Sequence, residues 1–170
     1  MNETRGRTDA LKRRVIVLFF LGLLSMAIIA IGIGWACGDW GWFHFRGLDQ
    51  VLGPALTVSG LALVGWSVRV QVVLGQGTPA PKVATQRLVT QGPYAYTRNP
   101  MTLGALLMYL GIGIWMSSGV VVLLTAIVFS ALLTFIYFHE TRELTERFGE
   151  EYLAYKKRTP FLFPRFKIRK

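Results

Sequence analysis

MTLGALLMYLGIGIWMSSGVVVLLTAIVFSALLTFIYF, Met101 to Phe138, runs for 38 residues without one charged side chain. About 20 apolar residues suffice for a helix to cross a bilayer, so this run is too long for a single ordinary span. Met116-Ser117-Ser118-Gly119 interrupts it near the middle, where small and polar residues signal a turn. The reading is a tight hairpin of two membrane helices, about 101–116 and 119–138.

Two further apolar blocks lie upstream. Val15 to Ala36 has 22 residues without a charge and follows the basic segment Met1 to Arg14. A signal peptide shares that plan, but its apolar core is only about 7–15 residues, so the block reads as a retained first span, about 15–36. Gly38 to Gln50 is a short loop holding Trp40, Trp42 and Phe43, aromatic residues of the kind found at headgroup level. Val51 to Leu74 is the second span, with Arg69 about one turn from its end, where its guanidinium snorkels to the interface. The expected fold class is therefore all-α: a single polytopic membrane domain, residues 1–170, with about four transmembrane helices.

Five Lys and Arg residues precede the first span, three lie in the long polar loop 75–99 and nine follow Phe138, whereas Arg46 stands alone in the first short loop and the hairpin turn has none. The positive-inside rule then places both termini and the long loop in the cytoplasm, in a cell inner membrane. The net charge of +10 sits beside hydrophobic blocks. Its counterpart is anionic lipid rather than nucleic acid, since no separate basic soluble domain remains.

From residue 139 to 170 the pattern turns amphipathic. Leu144, Phe148, Tyr152 and Tyr155 recur at spacings of three and four, and Glu143 stands four residues ahead of Arg147, which predicts a helix lying on the membrane surface or on the protein. Gly149 marks a break between two short helices. FLFPRF near the end is an aromatic and basic interface anchor.

Several chemistries are excluded by count. The two histidines, His44 and His139, fall on opposite sides of the hydrocarbon, roughly 30 Å apart, so they cannot share a haem. With Cys37 the single cysteine, there is no disulfide and no His/Cys zinc site. Gly32-Ile33-Gly34 and Gly111-Ile112-Gly113 look like pieces of nucleotide loops but lie inside apolar spans, where close packing of small residues between helices is the better reading.

The polar stretch that opens the hairpin, QGPYAYTRNPMTLG (Gln91 to Gly104), is more specific. Gly92-Pro93 is a turn signal, and Asn99-Pro100 supplies an N-cap residue and an N1 proline. A well-capped helix accounts for that much. It does not account for Tyr94, Tyr96 and Arg98 meeting a second polar pair, His139-Glu140, which the hairpin returns to the same end. An arginine, capping amides and a carboxylate in one pocket suit a zwitterionic cofactor: Arg or amides for a carboxylate, Glu for an ammonium, a tyrosine ring for a base or a sulfonium.

GPYAYTRNPMTLG, the charge-free hairpin and HETRELTERFGEEYLAYKKRTPFLFP together resemble the membrane-embedded methyltransferases related to isoprenylcysteine carboxyl methyltransferase and the phospholipid N-methyltransferases. The resemblance covers Gly77 to Pro164. It implies S-adenosylmethionine as methyl donor, bound from the cytoplasmic side by the loop before the hairpin and the segment after it, and a lipophilic acceptor reached from the bilayer. The family pattern falls on Gly92, Tyr94, Arg98, Asn99 and Pro100, then on Glu140, Thr141, Leu144, Phe148, Gly149, Tyr152 and Tyr155. The residues expected to bind the cofactor are Gly92, Tyr94, Tyr96, Arg98, Asn99, Pro100, Leu103, His139 and Glu140, with Arg98 and Glu140 as catalytic candidates and no metal. Asn99 stands where the eukaryotic enzymes carry His, and Thr141 where the pattern has a second Glu. A degenerate member acting as a membrane adaptor is the alternative, and an NADPH-dependent lipid reductase ranks last, since the 75–99 loop offers only Lys82 and Arg87 toward a phosphate.

Overall fold

The computed structural model describes residues 2–38, 47–75 and 87–164; the side chains of residues 2–9, 12 and 140 are not among those described. Trp40, Trp42, Phe43, His44 and Arg46 of the first loop, Lys82, and the final Arg165-Phe166 lie outside the described residues. Among the described residues every regular element is a helix: α1 (Asn2–Ala36), α2 (Asp49–Leu74), a 3-10 turn (Gly92–Ala95), α3 (Pro100–Trp115), α4 (Gly119–Phe135), a π turn (Ile136–Glu140) and α5 (Thr141–Arg158). This is a polytopic all-α membrane protein. Arg13–Ala36, Asp49–Leu74 and Gly119–His139 are long and apolar enough to cross a bilayer. The remaining apolar helix, α3, has 16 residues and at 1.5 Å per residue is about 24 Å long, short of a roughly 30 Å hydrocarbon core.

That short helix is the most enclosed part of the molecule because α2 lies directly against it along a seam of glycines. A Cβ on Gly111 would lie 2.5 Å from the Thr57 amide nitrogen, one on Gly104 would lie 2.7 Å from the Gly60 carbonyl oxygen, and one on Gly53 would lie 2.5 Å from Cα of Trp115. Gly53 and Gly60 on α2, like Gly104 and Gly111 on α3, stand seven residues apart, two helical turns, so each pair shares one face. Lipid offers apolar side chains no gain over another helix, and close backbone approach supplies the dispersion contacts that hold spans together. The sequence reading of Gly111 as a packing residue is thus met. In the other glycine pair, Gly34 packs on Ser118 and Val121, while Gly32 has open space around its Cα.

The hairpin turn forms where expected. Ser117 adopts a positive φ of 50°, and the Ser118 hydroxyl caps α4 by accepting from the Val121 amide at 3.2 Å. The turn is also tied to the start of α2: Ser117 Oγ donates to Asp49 Oδ2 at 3.0 Å, and Trp115 Nε1 donates to Gln50 Oε1 at 3.2 Å. Asp49 is buried. This polar clasp fixes α2 against the hairpin at the end opposite the polar stretch.

Between the helices, Ala27, Val64, Val68, Ala105, Met108, Tyr109 and Phe129 form the core, and the Tyr109 hydroxyl donates to the Leu23 carbonyl at 2.6 Å, joining α3 to α1. Most of α1's apolar side chains, Leu18, Ile28 and Ile29 among them, remain exposed, as suits a surface that meets acyl chains.

At the other end of α4 the helix does not stop. It widens into the π turn, whose five-residue closure runs from the Thr141 amide to the Ile136 carbonyl, and continues as α5. Such a turn places residues five apart on one side, here Ile136 and Thr141, and π turns of this kind occur often at functional sites. Within α5, Gly149 takes φ 50° and ψ −127°, a conformation open essentially to glycine alone. The expected break is there, and it turns Tyr152 and Tyr155 inward, both buried.

Candidate active site

Three segments meet at the end of the bundle where α3 begins and α4 gives way to α5. The first is the stretch 91–99, held to α2 by the Tyr94 hydroxyl, which donates to Gln71 Oε1 at 3.3 Å. The second is the inner face of α5, whose Tyr155 hydroxyl donates to the Tyr94 carbonyl at 2.7 Å. The third is the segment after α5, which doubles back so that the Arg98 amide donates to the Pro160 carbonyl at 2.9 Å.

Arg98 stands at their junction. Its Nη1 donates to the Tyr152 hydroxyl at 3.1 Å, and its guanidinium carbon lies 5.5 Å from the centre of the Phe161 ring. Its Nε is buried with no hydrogen-bond partner among the described residues. A buried donor left unmade costs about 1–3 kcal/mol, so the position is unfavourable unless an acceptor arrives. Arg98, Asn99, Ile136, Thr141, Leu144, Tyr152, Tyr155 and Phe161 line one small pocket of about 20 Å3. Burial pushes the Tyr155 hydroxyl's pKa above its ordinary range, partly offset by the positive charge of Arg98. Tyr155 is therefore a neutral donor, not a base.

The residues singled out by sequence divide into those gathered here and those placed elsewhere. Arg98 and Asn99 line the pocket, and Tyr94 supports it through both its hydroxyl and its carbonyl. Pro100 is fully buried at the first position of α3, and the Leu103 amide closes the first turn onto the Asn99 carbonyl at 3.0 Å. Gly92, at φ +61°, shapes the turn under Val70. Asn99 occupies the N-cap position, yet its side chain makes no cap bond; its Nδ2 donates instead to the Phe161 carbonyl at 2.9 Å. Tyr96 is exposed. His139 is exposed too, its ring stacked 4.6 Å from that of Phe135, beside a shallow groove with Ser130, Thr134 and Phe138 on the outer face of α4. Glu140 ends the π turn one residue before Thr141, and its side chain lies outside the described residues.

Sequence reasoning took the segment after the hairpin as part of the site but singled out no residue of Thr159–Pro164, and neither Thr97 nor Gln71. Thr97 is 2% exposed, and Thr159 and Leu162 are buried with it. The signal available was Thr159-Pro160 directly after the basic end of α5, a stop that turns the chain. On α5 the expected Glu143–Arg147 pair forms at 3.1 Å, and Arg142 pairs with Glu146 at 2.9 Å.

A cationic, tyrosine-lined pocket where a hairpin meets an amphipathic helix places the chain in the class of polytopic helical membrane proteins with a polar site at one end of the bundle. The model of the phospholipid methyltransferase family matches residues 48–151, more than half of the chain, and the chain belongs to that family of membrane methyltransferases. Over 81 residues it is 36% identical to the cobalt-zinc-cadmium resistance protein CzcN of Cupriavidus metallidurans, a match spanning 48% of this chain and 37% of that protein. The chain thus covers little more than a third of this curated relative's length. The matched family segment takes in α2, Arg98, the hairpin and most of α5, and ends one residue before Tyr152.

Proposed function

We propose that the protein transfers a methyl group from S-adenosylmethionine to a lipophilic acceptor at the cytoplasmic membrane surface. The observation that carries this reading is Arg98, whose Nε is buried without a partner among the described residues, beside Tyr152, Tyr155 and Phe161. A cofactor carboxylate satisfies that donor with a charge-assisted bond. The neighbouring aromatic faces suit a sulfonium or a base.

The donor chemistry fits the cofactor; the space requires movement. A volume of about 20 Å3 holds about one water, whereas small-molecule sites span roughly 300–1,000 Å3. Held there, S-adenosylmethionine would supply an electrophilic methyl group for the acceptor's nucleophile.

The chain's own contribution is placement. Arg98 anchors the carboxylate end, Tyr152 holds the guanidinium, and the phenol of Tyr155 ties α5 to the Tyr94 carbonyl. Glu140, at the end of the π turn, takes the cofactor ammonium or a proton from the acceptor. Holding nucleophile, methyl and sulfur collinear with water excluded supplies most of the rate, and a carboxylate, neutral amine or thiolate acceptor needs no general base. The acceptor class is a phospholipid amine, a prenylcysteine carboxylate or a small lipophilic nucleophile.

The test is titration calorimetry of the purified protein in lipid nanodiscs with S-adenosylhomocysteine. Folded protein that takes up none overturns the reading, and Arg98→Ala should abolish uptake. Incubating membranes with methyl-labelled donor then separates enzyme from adaptor: label in the lipid fraction marks turnover, and cofactor uptake without label marks a binding-only member.

A further inference from the structure

Asn99 heads α3 with the identity of a cap, but its side chain turns away from the helix to the segment after α5. The carbonyl of Phe161 receives two side-chain donors, Asn99 Nδ2 at 2.9 Å and Thr97 Oγ1 at 3.3 Å. A carbonyl oxygen only accepts, so the group facing it from residue 99 must carry a hydrogen. The next carbonyl upstream, that of Pro160, accepts from the Arg98 amide at 2.9 Å. Three consecutive residues, Thr97 to Asn99, thus grip two consecutive peptide carbonyls. The result is a docked strap, Thr159–Pro164. Thr159 and Leu162 are its buried members, and the Phe161 ring is pinned between the Arg98 guanidinium and the edge of Tyr137, whose ring centre is 5.5 Å away.

We propose that Thr97 and Asn99 are positioning residues that hold this strap over Arg98, and that the chemical requirement at position 99 is a side-chain N–H donor to the Phe161 carbonyl, neither a helix cap nor an acid or base. The strap lies beyond the residues that match the family. Its effect is on the site. With the carbonyls gripped, the Phe161 ring covers the guanidinium and strips water from it, which strengthens whatever anion Arg98 holds. With the grip lost, Arg98 faces solvent and its hold on a carboxylate weakens. This inference rests on the cofactor reading for its functional consequence, although the grip itself does not.

The donor requirement makes a sharp distinction among side chains of similar size. Histidine carries Nδ1 one bond beyond Cγ, where asparagine carries Nδ2, so Asn99→His keeps a donor in place; Asn99→Leu keeps the shape and removes it. Thr97→Val likewise removes only the hydroxyl. Hydrogen exchange on the full-length protein in nanodiscs, without any ligand, reads the grip directly in peptides covering 96–99 and 159–164. In Asn99→Leu and Thr97→Val these peptides should exchange about tenfold faster, as expected when a side-chain anchor of a local opening unit is removed, while peptides from the α2–α3 seam keep wild-type protection and show that the fold is intact. Asn99→His should restore slow exchange, and affinities for S-adenosylhomocysteine should follow the same order. Wild-type exchange in Asn99→Leu, or fast exchange in Asn99→His, overturns the proposal. If the exchange pattern appears as expected but the wild type binds no S-adenosylhomocysteine, the grip stands and it is the cofactor reading that falls.

Discussion

Replacing Tyr152 by phenylalanine removes one oxygen and nothing else from the centre of the site. The residue is 2% exposed and its ring stays packed, so no cavity opens and the change isolates the 3.1 Å bond from Arg98 Nη1. A hydrogen bond to a charged group contributes about 1.5–3 kcal/mol. Arg98 already holds a buried Nε without a partner among the described residues, so the variant leaves two unsatisfied donors on one guanidinium. If a bound carboxylate relies on that orientation, the dissociation constant for S-adenosylhomocysteine rises roughly 10- to 150-fold, the equivalent of the same energy. The interaction is measured cleanly by a double-mutant cycle with Arg98→Met, which keeps the aliphatic stem and deletes the charge. Unfolding in mixed micelles measures the cycle, and calorimetry on Tyr152→Phe alone measures the effect on binding. Tyr152→Phe should cost much less when made on top of Arg98→Met than in the wild type, with a coupling energy of about 1–3 kcal/mol. Equal costs in both backgrounds refute the view that Tyr152 acts through Arg98.

Other perturbations reach the same architecture from different directions. Gly60→Ala or Gly104→Ala drives a methyl group into the facing backbone, where a Cβ on Gly104 meets the Val64 amide nitrogen at 2.9 Å; either should destabilise by about 1–3 kcal/mol, seen as a lower unfolding midpoint, and weaken ligand binding because α2 carries Gln71. Gly149→Ala forces a side chain into a backbone conformation that costs about 1–3 kcal/mol, and should loosen α5 without altering the helical content of the spans. Burial raises the Tyr155 hydroxyl above the ordinary tyrosine value, so its contribution is complete below about pH 10, the unfolded-state pKa, and is lost as pH climbs through the higher folded-state pKa. Wild-type protein should therefore lose thermal stability in alkaline buffer more steeply than Tyr155→Phe, which starts about 1 kcal/mol lower at neutral pH for want of the bond to the Tyr94 carbonyl.

Much of the molecule is legible in the chain because the bilayer simplifies the code. Thirty-eight charge-free residues with a Ser-Ser-Gly break have few alternatives to a helical hairpin, since every backbone group in hydrocarbon must be bonded internally. Gly149 and the tyrosine spacing of α5 are equally readable, because both are local properties of backbone freedom and helical period. Arg98 stands out for the same reason: a charge at the mouth of an apolar run is conspicuous. What sequence does not supply is direction. Asn99 has the identity of a cap and the position of a cap, yet its Nδ2 donates to a carbonyl 62 residues away, an acceptor that only the folded chain brings near. His139 and Arg98 belong to the same end of the hairpin. Yet His139 points outward onto Phe135, because which face of α4 each residue takes depends on the π turn.

The sequence by itself determined a helical membrane protein, its hairpin, its amphipathic tail and the polar stretch at which chemistry is possible. The tertiary structure decided which of those polar groups share a pocket: it chose Tyr152 as the partner of Arg98, brought Phe161 over the guanidinium and set His139 apart. The physical reason is that helices and spans arise from contacts within a few residues and from the hydrocarbon around them, whereas a site is made of bonds between segments 54 to 64 residues apart. Those bonds exist only after the glycine seam has fixed where the segments lie.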